Sequence, residues 1–487
     1  MLGFVVGCDI GTQATKGVLI ADDGHVHATA SASHGVNFPA PGWAEQDPAD
    51  WLRALTEVLS ALSREARGPI GHSGIAAQVD GVVAVNREMS PLHPGLIWLD
   101  RRAVAQAEFI QKRLGNEWIF STTGLNCDAS HGAPKMMWLA DVVGELPAYF
   151  LPPVAFATSW LTGEVAQDHA NASSSMLFDV TRREWSEELL EACTIDVGTL
   201  PPLRQSTEVL GGILPRRAAE IGVSSALVIV GTGDDHAAAL AAGAVEPGIV
   251  ADITGTAEPV GAASNQPVFD QRRLLETHAH AIPQMWFIEN PGFVSGGSVM
   301  WAAQLLDTGQ LAVLQLAAEA DPGSGGLVFV PALSGAVAPR WNDSARGSFT
   351  GISMDHGRAE WSRAILEGCA FALRDNVDRL SELGFPTEQI NVTGGGARSE
   401  LWLRIKADVT HRPVKAVQGE GAALGAACLA AVAAGWFADA GEATRALVTT
   451  SDVTYEPDAA VEDMYEDAYG RYLATFDALE PTYSWPL

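Results

Sequence analysis

One pattern constrains this chain more than any other, because it occurs twice. Near the start an apolar run, Phe4–Cys8, enters Asp9-Ile10-Gly11-Thr12 and leaves on a second run, Gly17–Ile20. Near the middle Ile249–Ile253 enters Thr254-Gly255-Thr256, so Asp9-Ile-Gly-Thr is echoed by Asp252-Ile-Thr-Gly-Thr. Short apolar runs bounded by turn residues read as buried strands. Each copy is therefore strand, Gly/Thr turn, strand, and its recurrence predicts two related domains. The boundary falls near residue 245, giving 1–244 and 245–487. A chain of 487 residues has room for two cores that need neither disulfides nor metal to fold.

The remaining pattern alternates strands with helices. Pro48–Ala66 carries apolar residues at helical spacing, from Trp51 through Leu62. Ala226–Val230 reads as a strand that runs into Gly231-Thr-Gly-Asp234-Asp235 and an Ala-rich helix. Gly357–Gly384 is a long helical stretch, closed by Gly384 with Pro386 beyond. Then come a strand at Gln389–Thr393, a loop at Gly394–Ser399, a helix at Glu400–Thr410, a strand at Pro413–Gln418 and a helix at Gly421–Gly435. Such alternation places both halves in the α/β class.

Charge narrows the choice of partner. Asp+Glu number 59 against Lys+Arg 30, a net charge of −29. So acidic a body repels a phosphate backbone, which excludes nucleic acid. A nucleotide here must rely on backbone donors, a few cations and Mg²⁺. The five cysteines are scattered without a Cys-x-x-Cys pair, the pattern of reduced thiols in a cytoplasmic protein. The N-terminus lacks the basic lead of a signal peptide. The apolar stretch 421–437 falls short of the roughly 20 residues that span a bilayer, so no membrane partner is expected.

Four constellations could carry chemistry. In the first, Asp9 ends a strand, Gly11 lets backbone donors approach an anion, Thr12 and Thr15 add hydroxyls and Lys16 adds a cation. Asp9 could hold Mg²⁺, and the plain alternative is a hairpin with Lys16 on the surface. In the second, Asp234 opens a helix. It is either a helix N-cap or a general base kept ionised by the helix dipole, and the adjacent Asp235 is left to explain. The third is the turn Thr254-Gly255-Thr256, and the fourth Gly394-Gly395-Gly396, where three glycines imply a sharp bend or a close ligand. Gly419-Glu-Gly421-Ala-Ala-Leu-Gly425 resembles a dinucleotide loop, but too little chain follows for a Rossmann unit, so close helix packing is the better reading.

Taken in order, Asp9-Ile-Gly-Thr, Gly233-Asp234, Gly255-Thr256, Gly351–Asp375 and Gly394–Ala397 resemble the FGGY carbohydrate kinases. The stretches Gly351-Ile-Ser-Met-Asp-His-Gly-Arg and Ile97-Trp98-Leu-Asp-Arg-Arg102 sit nearest the xylulokinase branch. The resemblance implies two actin-like (ribonuclease H-like) ATPase domains with the active-site cleft between them. It implies ATP and Mg²⁺ as cofactors, a sugar or polyol acceptor and a homodimer. It makes Asp234 the catalytic base and Asp9 the metal-associated carboxylate. Gly11, Thr12, Gln13 and Lys16 would face the phosphates from the first domain, and Gly255 and Thr256 from the second. Gly296, Gly395, Gly396 and Ser399 would line the nucleotide. Gln78, Val79, Asp80, Trp98, Asp234 and Asp235 would lie along the substrate.

This chain has Gln78-Val79-Asp80-Gly81 where xylulokinases usually carry Gln-Met-His-Gly. A carboxylate at Asp80 can accept hydrogen bonds from two vicinal hydroxyls, or Asp80-Gly81 is a hairpin turn. The expected reaction is ATP-dependent phosphorylation of D-xylulose to D-xylulose 5-phosphate. Its rivals are kinase action on another ketopentose or polyol, an oxidoreductase built on the Gly419 loop, and an actin-like ATP- or sugar-binding sensor without turnover.

Overall fold

A computed structural model describes residues 3–223, 226–342 and 344–483. Its framework is two sheets of matching topology. In the first, β1 (Phe4–Ile10), β2 (Ala14–Ala21) and β3 (Val26–Ser33) form an antiparallel meander. β4 (Ile70–Ala77) adds parallel to β1, and β5 (Leu227–Ile229) parallel to β4. The order is β5-β4-β1-β2-β3, with Val209–Gly212 at the outer edge.

The second sheet repeats this plan. β6 (Gly248–Thr254) and β7 (Ala257–Ser264) are antiparallel, and β8 (Glu276–Ala279) and β9 (Trp286–Val294) extend the sheet beyond β7. β10 (Thr387–Gly394) runs parallel to β6, and β11 (Val414–Ala416) parallel to β10. The order β11-β10-β6-β7-β9 matches β5-β4-β1-β2-β3 strand for strand. The duplicated strand–turn pattern is thus a duplicated fold, with β1 and β6 as equivalent central strands.

Helices cover both faces, as a parallel core requires. α1 (Pro48–Glu65) starts at Asp47, whose side chain accepts from the Ala49 N–H, with proline at its first position. It buries Trp51, Leu55, Val58, Leu59 and Leu62 against the face of the first sheet that presents Phe4, Val6 and Leu19. The opposite face presents Val5, Val18 and Ile20. That face is covered by α2 (Asp234–Ala241) and, less expectedly, by α5 (Gly421–Ala433), which comes from the far end of the chain.

α5 is apolar all round because it is enclosed. Small residues let it approach: a Cβ at Gly7, Gly74 or Gly425 would fall under 3.0 Å from a backbone oxygen, of Ala423, Ala426 and Ala237 respectively. The glycines of the 419–425 loop therefore serve close helix packing. The two copies of the repeat meet between α2 and β6, but one face of the first sheet is covered by residues 421–433. The second sheet has its own cover in α3 (Arg358–Glu382) and α4 (Glu400–Thr410), both within the second core. No helix among the described residues is long and apolar enough to cross a membrane.

Candidate active site

The tips of β1 and β6, the start of α2 and the start of α5 converge on one cleft of about 550 Å³ between the two sheets. β1 delivers Asp9 to its rim, and the β1–β2 register sets Lys16 directly opposite Asp9. Asp9 is half-buried, and its Oδ1 is buried without a hydrogen-bond partner. Burial raises its carboxyl to about 7, Lys16 opposes that shift and Glu420 adds to it. Lys16 Nζ donates to Glu420 Oε2 at 2.8 Å, so the cation expected to face phosphates is held by a carboxylate at the start of α5.

The first turn is braced from below. Trp98 Nε1 donates to Thr12 Oγ1 at 2.9 Å, and Gln46 Nε2 donates to the Thr12 carbonyl at 2.8 Å. Gln78 Nε2 donates to Gln46 Oε1 at 2.7 Å. Gln78 is therefore a buried support for the Gly11–Gln13 turn and does not line the cleft, while Gly11, Thr12, Gln13, Val79, Asp80 and Trp98 do.

Thr232–Gly233 extends β4's edge as a short parallel strand, and α2 then starts with Asp234 at its first position. Gly233 is the N-cap residue, so neither Asp234 nor Asp235 caps the helix. Asp234 Oδ1 instead accepts from the Asp235 N–H at 3.0 Å, and Asp235 Oδ1 from the His236 N–H at 2.6 Å. The helix start is only one of the influences on the Asp234 carboxyl. Burial, then the charges of Asp9 and Asp235, push its carboxyl well above the usual range, and hydrogen bonds from the Asp235 and Val79 N–H groups offset only part of that. Asp235 is raised too, by burial first.

The second domain supplies Gly255 and Thr256 to the opposite wall. Beneath them lies a buried network. Lys406 Nζ donates to Asp252 Oδ2 at 2.5 Å, Thr254 Oγ1 at 2.6 Å and Glu258 Oε1 at 3.0 Å. Asp252 is the counterpart of Asp9 in the repeat, yet it is fully paired where Asp9 is bare. At this position of the repeat, the first copy leaves its carboxylate facing the cleft and the second does not.

The other nucleotide candidates sit behind the lining. Gly296 donates its N–H to the Gly255 carbonyl at 3.1 Å and backs the second turn. A Cβ at Gly396 would meet the Thr254 side chain under 3.0 Å. Gly395 is exposed beside the cleft, and Ser399 caps α4, accepting from the Trp402 N–H. Of the triple-glycine loop, Gly394 lines the cleft, with φ +84°. The hairpin reading of Asp80-Gly81 fails: Val83–Val85 pairs with Tyr149–Leu151, while β4 pairs with β1 and β5, so the strands flanking the turn do not pair with each other. Asp80 has φ +57°, and its carbonyl accepts from Lys135 Nζ at 2.7 Å.

Sequence reasoning missed several groups that the fold carries here: Glu420, His131, Lys135, and Glu276, His278 and Glu289 from β8 and β9. The one available signal was Glu276-Thr-His278, ionisable residues alternating along a short strand that follows Leu274-Leu275.

Two domain families match the chain. Residues 4–242 match the FGGY family of carbohydrate kinases, N-terminal domain, and residues 250–434 its C-terminal domain. A xylulose kinase of Escherichia coli (strain K12) is 30% identical over 437 residues, covering 88% of this chain and 90% of that protein. The structure of a ligand-bound xylulose kinase from Lactobacillus acidophilus superposes with a TM-score of 0.90 at 26% identity, over 99% of both chains. A gluconate kinase structure from the same organism gives the same TM-score, identity and coverage.

Proposed function

The chain belongs to the FGGY family of carbohydrate kinases, and from that premise we propose that it transfers the γ-phosphoryl group of ATP to D-xylulose, giving D-xylulose 5-phosphate, with Asp234 as general base. The observation that carries this reading is the convergence of two Gly/Thr turns, one from each domain, on a cleft that also holds the bare Asp9 and the buried Asp234. The similarity to a xylulose kinase over most of both chains supports the choice of acceptor.

The residues fit a divalent cation. Asp9 offers a buried, unpartnered oxygen, and no group of three or more candidate ligands exists among the described residues. That is what Mg²⁺ needs when it is held by one or two carboxylates and completed by phosphates and water. Asp9 would hold it, and when bound it supplies neutralisation of the phosphate charge.

The side chains then divide the remaining work. The N–H groups of Gly11 and Gly255 donate within their own turns, so those of Thr12, Gln13 and Thr256 are left to face the phosphates, and Lys16 can turn from Glu420 to a phosphate oxygen. Asp234 orients the acceptor hydroxyl and takes its proton as the new O–P bond forms and the bond to ADP breaks. A carboxyl raised by its surroundings holds that proton better once it has taken it. Two sheets closing on the cleft exclude water as a competing acceptor.

All five cysteines are free, which supports the reducing cytoplasm as the setting. The assembly expected from the resemblance is a homodimer, which light scattering can check.

The test is ADP release with Mg²⁺-ATP and a panel of D-xylulose, D-ribulose, L-xylulose, xylitol, D-arabinitol, erythritol and glycerol. D-Xylulose should give the highest kcat/KM. Asp234→Asn should fold and lose turnover by about a hundredfold or more. Near wild-type turnover in that variant would remove Asp234 from its role, and preference for another panel member would replace the substrate.

A further inference from the structure

Opposite the phosphate turns the cleft has a second wall of unusual composition. Glu276 on β8 and Glu289 on β9 are direct cross-strand partners, and both are buried. Like charges facing each other in an antiparallel pair are destabilising, and burying them adds a desolvation cost. His278, two residues along β8 and on the same face, has Nε2 3.9 Å from Glu276 Oε2 and 3.5 Å from Glu289 Oε1. His131 approaches from the first domain, with Nε2 3.9 Å from Glu276 Oε1 and Nδ1 3.2 Å from Asp80 Oδ1. Carboxylate and imidazole thus alternate from Asp80 to Glu289 across the junction of the two domains.

The row is built but not self-satisfied. Glu276 Oε1 accepts from the Asn126 N–H at 2.8 Å, yet its Oε2 is buried without a hydrogen bond. Glu289 Oε2 and His278 Nε2 are likewise buried and unpartnered, although all three residues line the cleft. Buried polar atoms are almost always paired, so these orphans mark where a ligand completes the set.

We propose that Asp80, His131, Glu276, His278 and Glu289 form the acceptor-recognition wall, which selects a neutral polyhydroxy compound through its distal hydroxyls and excludes carboxylated or phosphorylated sugars. A hydroxyl donates to a carboxylate oxygen and accepts from an imidazole N–H, so a chain of vicinal hydroxyls matches an alternating row. The polyanionic phosphates belong at the other end of the cleft, where Lys16 and the backbone donors are. An acceptor bearing its own carboxylate or phosphate would set acceptor-only oxygens against the buried carboxyls, with the nearby His131 already engaged by Asp80. Burial raises Glu276 to about 7 and, with the neighbouring carboxylates, raises Glu289 as well, while His131 is held at about 9 because Asp80 and Glu276 outweigh its burial. This assignment rests on the kinase reading but not on D-xylulose in particular.

The test is calorimetric binding of uncharged and anionic acceptors of one carbon skeleton, xylitol and D-xylonate, together with D-xylulose and D-gluconate, to the full chain. Glu276→Gln and Glu289→Gln keep shape and replace one carboxyl oxygen by an amide donor. The wild type should bind the neutral members at least about tenfold more tightly than the acids, and each variant should lose about tenfold for the neutral members, with ATP affinity unchanged. Equal binding of neutral and anionic members, or variants that bind the neutral ones as the wild type does, overturns the assignment. Should a variant not fold, the wild-type comparison decides alone. Tight binding of a neutral polyol other than D-xylulose overturns the proposed substrate and leaves the wall in place.

Discussion

Lys16 Nζ donates to Glu420 Oε2 at 2.8 Å and ties the first phosphate turn to the loop that opens α5. The lysine side chain is 41% exposed and the glutamate 27%, so the pair lies in the solvated range where ion pairs contribute about 0–1 kcal/mol. Glu420 also accepts from Arg398 Nη2 at 3.0 Å and has a second cation to keep. A phosphate can therefore take Lys16 at little cost. Glu420→Gln should tighten ATP binding by at most about fivefold, and Lys16→Met should raise the KM for ATP by about tenfold or more. Calorimetry and initial rates check both. Weaker ATP binding in Glu420→Gln would mean that the glutamate helps to hold the nucleotide.

Lys135 holds the acceptor side together. It is fully buried, and its Nζ donates to the carbonyls of Asp80 at 2.7 Å, Ile97 at 2.8 Å and Ser130. Those three carbonyls lie in or beside the segments that present Asp80, Trp98 and His131. Burial lowers the ammonium to about 8, with nearby carboxylates opposing. Lys135→Met would leave three buried acceptors unsatisfied and should destabilise the protein by about 3–5 kcal/mol. As a positioning residue it should raise the KM for the sugar by about tenfold while leaving that for ATP within about twofold. Equal changes in both would indicate a general loss of structure.

The legible parts of this chain were those where local pattern and global fold agree. Phe4–Cys8 and Ile249–Ile253 are central strands whose turns, at Gly11 and Gly255, reach the same cleft. α4 runs over the residues expected from its spacing, Glu400–Thr410. What the sequence could not show was pairing between distant segments. Nothing near Lys16 points to Glu420, and nothing near Asp252 points to Lys406. Glu276 and Glu289 become a pair only through the β8–β9 register. Asp234 was expected to be ionised because its helix position was visible, whereas its neighbour Asp9 is set by the packing of β1 beside β4. Ser399 and Gly396 lie in a motif-rich loop, but one caps a helix and the other packs on Thr254.

The docking of α5 on the first sheet depends on backbone contact. Gly425 lies so close to the Ala237 backbone that an added Cβ would meet its carbonyl oxygen, carbonyl carbon and Cα, all under 3.0 Å. None of these atoms can move without displacing α2, which carries Asp234. Gly425→Ala improves helix propensity by about 1 kcal/mol, yet the clash should outweigh it and destabilise the protein by about 1–3 kcal/mol. The same substitution at Gly384, where φ is +88° but no atom lies within 4 Å, tests backbone strain alone. Chemical denaturation of the two variants should separate packing from conformation, and kcat should fall only in Gly425→Ala. Unchanged stability and activity there would mean that α5 and α2 can part without consequence.

Asp375 offers a pH-dependent test of core electrostatics away from the cleft. It is half-buried on α3, accepting from Tyr469 Oη at 2.6 Å and from Tyr472 Oη at 3.1 Å. Burial raises its carboxyl from 3.8 to about 7, the two tyrosines opposing and Asp378 adding to the shift. The folded protein thus holds a proton between those values that the unfolded chain has released. Its stability falls as pH rises from about 4 to 7 and levels off above that, by an amount on the order of 1–4 kcal/mol. Asp375→Asn cannot ionise and loses this slope. The variant's melting temperature, taken relative to wild type, should therefore rise between pH 5 and pH 8, by a few degrees on the scale of about 2–4 °C per kcal/mol for large domains. A difference that stays constant across that interval would show that the carboxyl titrates at its ordinary value in the folded protein.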